Sequence, residues 1–133
     1  MAEGRQTTVS QQLELQAVET PGLTCQAGYG DAKLTVAFTC TGDVAAIELL
    51  ADYLKRLHVE AERLLVIEVT CDFRQLSFMN SSCFKAFVVW IDTVKNAARS
   101  YRIRFLTDPE MHWQRRSLEA LRRLAIQIVT LET

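Results

Sequence analysis

The chain has 133 residues, enough for one domain with a sizeable core, and its 49% hydrophobic against 23% charged residues excludes global disorder. With 15 lysines and arginines against 16 aspartates and glutamates the net charge is -1, so no overall field draws the chain to nucleic acid or to an anionic membrane. The longest apolar run, Ala86 to Ile91, falls far short of the roughly 20 residues that span a bilayer.

Residues 1–10 are small and polar and read as a flexible tail, which leaves residues 11–133 as the domain. The tail holds no apolar signal core, so the expected location is the cytoplasm. Cys25, Cys40, Cys71 and Cys83 form no C-x-x-C pair and no zinc-type spacing with histidine. They read as reduced thiols, and neither a metal nor another cofactor is expected.

Leu13, Leu15 and Ala17 alternate with Glu14 and Gln16, the pattern of a short strand with one wet face. Thr20-Pro21-Gly22 and Gly28-Tyr29-Gly30-Asp31 are turn signals, with a short segment around Leu23 to Gln26 between them. Lys33 to Thr39 is a clearer strand, because Leu34, Val36 and Phe38 alternate with Thr35, Ala37 and Thr39. These segments predict an opening hairpin. Thr41-Gly42-Asp43 ends the strand, and Asp43 stands where it would cap the next helix. There Ile47, Leu50, Leu54 and Leu57 share one helical face, and the helix is predicted to stop near His58 to Ala61. Leu64 to Thr70 is nearly continuous and apolar, the pattern of a strand covered on both faces.

Beyond Asn80-Ser81-Ser82, residues Phe84, Phe87, Val88, Ile91 and Val94 mark a helix reaching Ala98. Tyr101 to Leu106 alternates as a strand, and Thr107-Asp108-Pro109 supplies a cap and a proline for the first position of the next helix. That helix is predicted to turn Leu118, Leu121 and Leu124 inward and Arg115, Arg116, Arg122 and Arg123 outward, with Glu119 an i,i+4 partner of Arg115 and Arg123. Ile126 to Leu131 is the last strand. The alternation of strands and helices makes this an α/β fold with right-handed crossovers. We expect a single domain whose mixed sheet is mostly parallel in its later part, with about three to four helices packed against it.

The functional signal lies where the central strand gives way to a helix. Asn80, Ser81 and Ser82 stand at a helix N-terminus, where free amides and the helix dipole favour negative charge. Ser77-Phe78-Met79-Asn80-Ser81-Ser82-Cys83-Phe84 resembles the signature of the STAS domain family, the anti-sigma factor antagonists of bacteria. In that family a strand ending in Phe-x-Asp-Ser-Ser-Gly-Leu leads into a helix. Phe38 to Asp43 is similar to the family's early strand ending in Gly-Asp or Gly-Glu, and Leu65 to Val69 is similar to its central strand. Asn80 stands where the family has aspartate, and Cys83 where it has glycine.

The resemblance implies a non-enzymatic signal-transduction protein that regulates transcription through protein–protein contact. It implies Ser82, with Ser81 as the alternative, as phospho-acceptor of a partner-switching cycle. Asn80, Ser81, Ser82, Cys83, Lys85, Gly42 and Asp43 are then the partner-binding residues. The implied partners are an anti-sigma factor that is also a serine kinase and a metal-dependent serine phosphatase, with a homodimer left open and no nucleic acid or membrane.

Enzymatic readings are poorer. Cys83 at a helix start could be a nucleophile, but a C-x5-R phosphatase loop needs arginine where Val89 stands. Glu68 and Asp72 could act as an acid/base pair, yet read more simply as a charged edge residue and a turn residue. No glycine-rich phosphate loop occurs. The rival readings are a small-molecule-sensing STAS domain, with a pocket beside the Asn80 helix, and an assembly module that works without phosphorylation.

Overall fold

The computed structural model describes residues 12–40 and 44–133. The predicted tail, and Gly42 and Asp43, lie outside the described residues. Nine elements follow in order: β1 (Val18–Glu19), β2 (Leu23–Gly30), β3 (Lys33–Cys40), α1 (Val44–Arg63), β4 (Glu68–Asp72), α2 (Ser81–Lys95), β5 (Arg102–Leu106), α3 (His112–Leu124) and β6 (Val129–Glu132). They build one six-stranded sheet in the order β1-β2-β3-β4-β5-β6. The pairs β1–β2 and β2–β3 are antiparallel, and β3–β4, β4–β5 and β5–β6 are parallel. The expected mixed sheet, parallel in its later part, is therefore present with three helices among the described residues.

The opening hairpin is longer than its glycines suggested. Gly28 and Gly30 pair with Thr35 and Lys33 inside the ladder, and the turn is Asp31-Ala32, both at positive φ (53° and 61°). Two such residues make the primed turn whose twist matches the strands it joins. Leu13, Leu15 and Ala17 precede β1 as an arm. The Glu14 amide donates to the Glu60 carboxylate at 2.7 Å, and the Arg63 guanidinium donates to the Gln12 carbonyl at 2.6 Å.

The sheet order fixes the layers. Strands added one after another in the same direction, each through a right-handed crossover, send every helix to the same face. That face carries Leu34, Val36, Phe38, Val69, Cys71, Ile103, Phe105 and Val129, all buried, against Leu50, Tyr53, Leu54 and Leu57 of α1, Phe87 and Ile91 of α2 and Leu118 and Leu121 of α3. The other face carries Thr35, Glu68, Arg102, Arg104, Thr130 and Glu132, with Arg104 paired to Glu132 at 3.3 Å. Thr70 on this outer face is buried as Val69 and Cys71 are, so the expected cover on both faces holds at the middle of β4. It is corrected only at the ends of the strand, where Glu68 and Asp72 are half-buried.

The same strand also starts later than its apolar run. Leu64 and Val66 are buried, but Leu65 and Ile67 are 62% and 54% exposed, and β4 begins only at Glu68. Leu65 sits at φ 54°, the Val66 amide bonds the Ala61 carbonyl at 3.0 Å, and the Leu65 amide bonds the Glu62 carbonyl at 3.2 Å. This is the left-handed end of a helix, closed by two backward bonds. Arg99 fastens it by donating to the Leu65 and Val66 carbonyls at 3.0 Å each.

α3 also begins later than predicted. Asp108 accepts from the Glu110 amide through its side chain (2.9 Å) and from the Met111 amide through its carbonyl (3.0 Å), so Pro109 lies in a turn and the helix starts at His112. Leu118 and Leu121 point inward, whereas Leu124 is exposed, and Glu119 pairs with Arg122 and Arg123.

Candidate functional site

The candidate site is the path from the end of β4 to the first turn of α2. Asp72 ends the strand and the chain folds at once: the Phe73 amide bonds the Leu106 carbonyl and the Leu76 amide bonds the Phe73 carbonyl, both at 2.9 Å. Phe73 and Leu76 turn inward. Phe73 meets Phe38, Phe87 and Phe105 at centroid distances of 5.6, 5.3 and 5.2 Å. Edge-to-face and tilted rings at this range lock orientation as well as burying area.

A side chain that the sequence reading missed holds this loop. Gln114 of α3 is wholly buried, and its amide nitrogen donates to the Phe73 carbonyl at 2.7 Å and the Leu76 carbonyl at 2.9 Å. Its amide oxygen accepts from the Asp108 amide at 3.0 Å. A loop leaving a sheet has carbonyls with no ladder to pair them, and one primary amide supplies two donors and an acceptor. The signal was present: Gln114, Leu118 and Leu121 recur at i, i+4 and i+7, so glutamine occupies an inward position.

Asn80 is the N-cap of α2, as read from the sequence. It has extended backbone (φ -80°, ψ 172°), and its side-chain oxygen accepts from the Cys83 amide at 2.8 Å. The Phe84 amide closes the first helical bond to the Asn80 carbonyl at 3.0 Å. Ser81 and Ser82 are therefore the first two helical residues and both are exposed, as is Lys85 one turn further on. Cys83 departs from this surface set. Its side chain is wholly buried, with its sulfur 3.8 Å from that of Cys40 at the end of β3. A packed thiol there leaves Ser81, Ser82 and Lys85 as the outward line, with Asn80 half-buried behind them.

The chemistry of the corner follows. No acidic residue lies in the first turn of α2, so the free amides and the positive end of the dipole are not already neutralised by a carboxylate. An anion on Ser82 would meet favourable potential there. The carboxylate alternative does not assemble. Glu68 and Asp72 lie at opposite ends of β4, about 13 Å apart at the strand's rise per residue. Arg74 grips both oxygens of Asp72, at 2.9 and 2.8 Å, and this pairing holds the carboxyl below its ordinary value. Asp72 is thus a structural anion. Burial pushes the Cys25 thiol up to about 12 and that of Cys71 well above its usual range, so neither is a ready nucleophile. Among the described residues no three histidine, cysteine, aspartate or glutamate side chains gather as a metal site.

The mixed sheet with its helices on one face is a STAS-like fold, and the Asn-Ser-Ser helix start lies beside its central strand. The crystal structure of an anti-sigma factor antagonist from Mycobacterium paratuberculosis superposes with a TM-score of 0.63 at 12% identity, over 86% of this chain and 90% of that one. At that identity the likeness is one of fold. No protein-family model and no curated protein matches the sequence.

Proposed function

We propose that this domain is a non-enzymatic regulator of the anti-sigma factor antagonist kind. It binds a serine-kinase or anti-sigma-type protein through the corner formed by Asn80, Ser81, Ser82 and Lys85, and phosphorylation of Ser82 releases that partner. Ser81 is the alternative acceptor, and a serine phosphatase reverses the modification. The protein then acts in the cytoplasm, and its output is transcription. The observation that carries the reading is the exposed hydroxyl of Ser82 in the first turn of a helix already capped by Asn80. Because Asn80 supplies the cap, Ser82 is free for another role. A phosphate adds roughly two negative charges and three acceptor oxygens without taking a bond from the fold. Support also comes from the solved neighbour, which is described as an anti-sigma factor antagonist.

The test is direct, because Arg74 and Lys85 bracket the corner and trypsin releases Gln75–Lys85, which carries Ser77, Ser81 and Ser82. Phosphate on Ser82 or Ser81 in protein isolated from its own cells, together with loss of partner binding in Ser82→Asp and retention in Ser82→Ala, is the expected result. A Gln75–Lys85 peptide that is always unmodified defeats the switch.

A further inference from the structure

α1 and α2 follow the parallel strands β3 and β4, so they leave the same edge of the sheet and run side by side in the same sense. Their outer seam is not filled. A groove of about 620 Å³ lies between them, with Ile47, Ala51 and Leu54 on one wall and Ala86, Val89 and Trp90 on the other. Along α1 it runs from Ile47 to Val59, about 18 Å or three turns of helix. Val59 and Val89 stand at its rim, 63% and 57% exposed. Its floor is stiff, because Tyr101 shares hydrogen bonds with His58 at 2.7 Å and the Trp90 indole at 3.1 Å.

Two observations identify what fits. The lining residues repeat at i, i+4, i+7 and i+11 on α1 (47, 51, 54, 58) and on α2 (82, 86, 89, 93), the spacing of a seam between packed helices. Lys55 and Lys85 line the groove, and no carboxylate is among its lining residues. Neither lysine has an ion-pair partner among the described residues, while the nearby Asp52 and Glu62 of α1 face Arg56 and His58. An apolar trough three turns long, edged by unpaired cations, is complementary to a helix whose apolar stripe is flanked by carboxylates.

We propose that the groove between α1 and α2 is a docking site for an acidic amphipathic helix of the partner protein. The inference rests on the reading that the Ser82 corner meets a protein, and it extends that surface. Ser82 itself lines one end of the groove, so a phosphate there would sit at the groove's mouth and repel an acidic occupant. One modification would act on both parts of the interface.

Two fluorescein-labelled helical peptides test this on the full chain. Both carry a three-turn leucine stripe; one has glutamates along its flanks, its twin lysines. Fluorescence anisotropy is expected to show the acidic peptide binding at least tenfold more tightly. Val89→Glu should abolish binding without lowering Tm, the pair Lys55→Glu and Lys85→Glu should reverse the preference, and Ser82→Asp should weaken the acidic peptide severalfold. Equal affinities for the twins, or acidic-peptide binding that Val89→Glu leaves intact, overturn the proposal. So does tight one-to-one binding of dodecanoate with neither peptide bound, which would make the groove a small-molecule site. If the groove fails while Gln75–Lys85 carries phosphate, the groove proposal falls and the corner stands. Preferential, Val89-dependent binding of the acidic peptide with an unmodified corner removes the switch and keeps the groove.

Discussion

Replacing Gln114 with methionine isolates the amide that holds the loop before Ser82. The side chains are close in volume, so little cavity is made, and what is lost is hydrogen bonding. Two backbone groups, the Leu76 carbonyl and the Asp108 amide, lose their partner, and the Phe73 carbonyl loses one of its two donors while keeping the Leu76 amide. Each buried group left unpaired costs about 1–3 kcal/mol, less where water reaches it. The Asp108 end is nearer solvent than the two carbonyls and the Phe73 carbonyl keeps one donor, so we expect a total of about 3 kcal/mol. For a domain of this size that lowers Tm by roughly 10 °C. The loss is local before it is global, so hydrogen exchange should quicken at Leu76 and at the Cys83 amide at denaturant concentrations where the sheet stays protected. Differential scanning calorimetry and exchange mass spectrometry read the two effects. A Tm within 2 °C of the parent, or exchange that rises equally everywhere, refutes the claim that Gln114 organises the corner.

Asn80→Ala removes the cap on α2 and should cost about 1 kcal/mol in urea denaturation, whereas Asn80→Asp should be neutral or slightly stabilising because a carboxylate caps and also faces the dipole. Leu65→Gly should stabilise by about 1 kcal/mol, since an exposed leucine held at φ 54° loses backbone strain and little packing; a loss of stability would show that Leu65 has a packing role. Alkaline pH should destabilise the fold. Burial holds the Cys25 thiol neutral up to about 12 and Cys71 well above the ordinary 9.0, so between these values the unfolded chain releases protons that the folded chain keeps. Stability from these groups is full below pH 9 and falls above it by about 1.4 kcal/mol per pH unit per thiol. Cys71→Ala should lower stability at pH 8 but flatten that slope, and parallel slopes in the two chains would contradict the assignment.

What the sequence disclosed depended on whether a residue's usual preference was obeyed. β3 was legible because every second residue from Leu34 to Cys40 is buried, and Asn80 was legible because asparagine before a helix is a cap in the structure too. The end of α1 was not, because a leucine occupies the left-handed position where glycine is the usual sign. Gly28 and Gly30 misled in the opposite way, as they continue a strand while Asp31 and Ala32 make the turn. Gln114 and the groove depend on tertiary neighbours. An inward glutamine and a partly exposed Ile47 acquire meaning only when α3 meets the loop at Phe73 and α1 lies beside α2.

The unbroken order of strands has one more consequence, which concerns synthesis. Each strand after β1 pairs with the strand just before it in the chain, so no strand must wait for a later one to find its first neighbour. As the chain emerges, the hairpin can form first, and each helix and strand that follows finds its docking edge already present. The last β-strand to arrive, β6, also secures the corner at one remove, because its Glu132 carbonyl receives the Thr107 amide just ahead of the turn that positions Gln114. The candidate site would thus be completed only when β6 has joined the sheet, and a chain lacking β6 would hold the loop that leads to its serine pair less firmly.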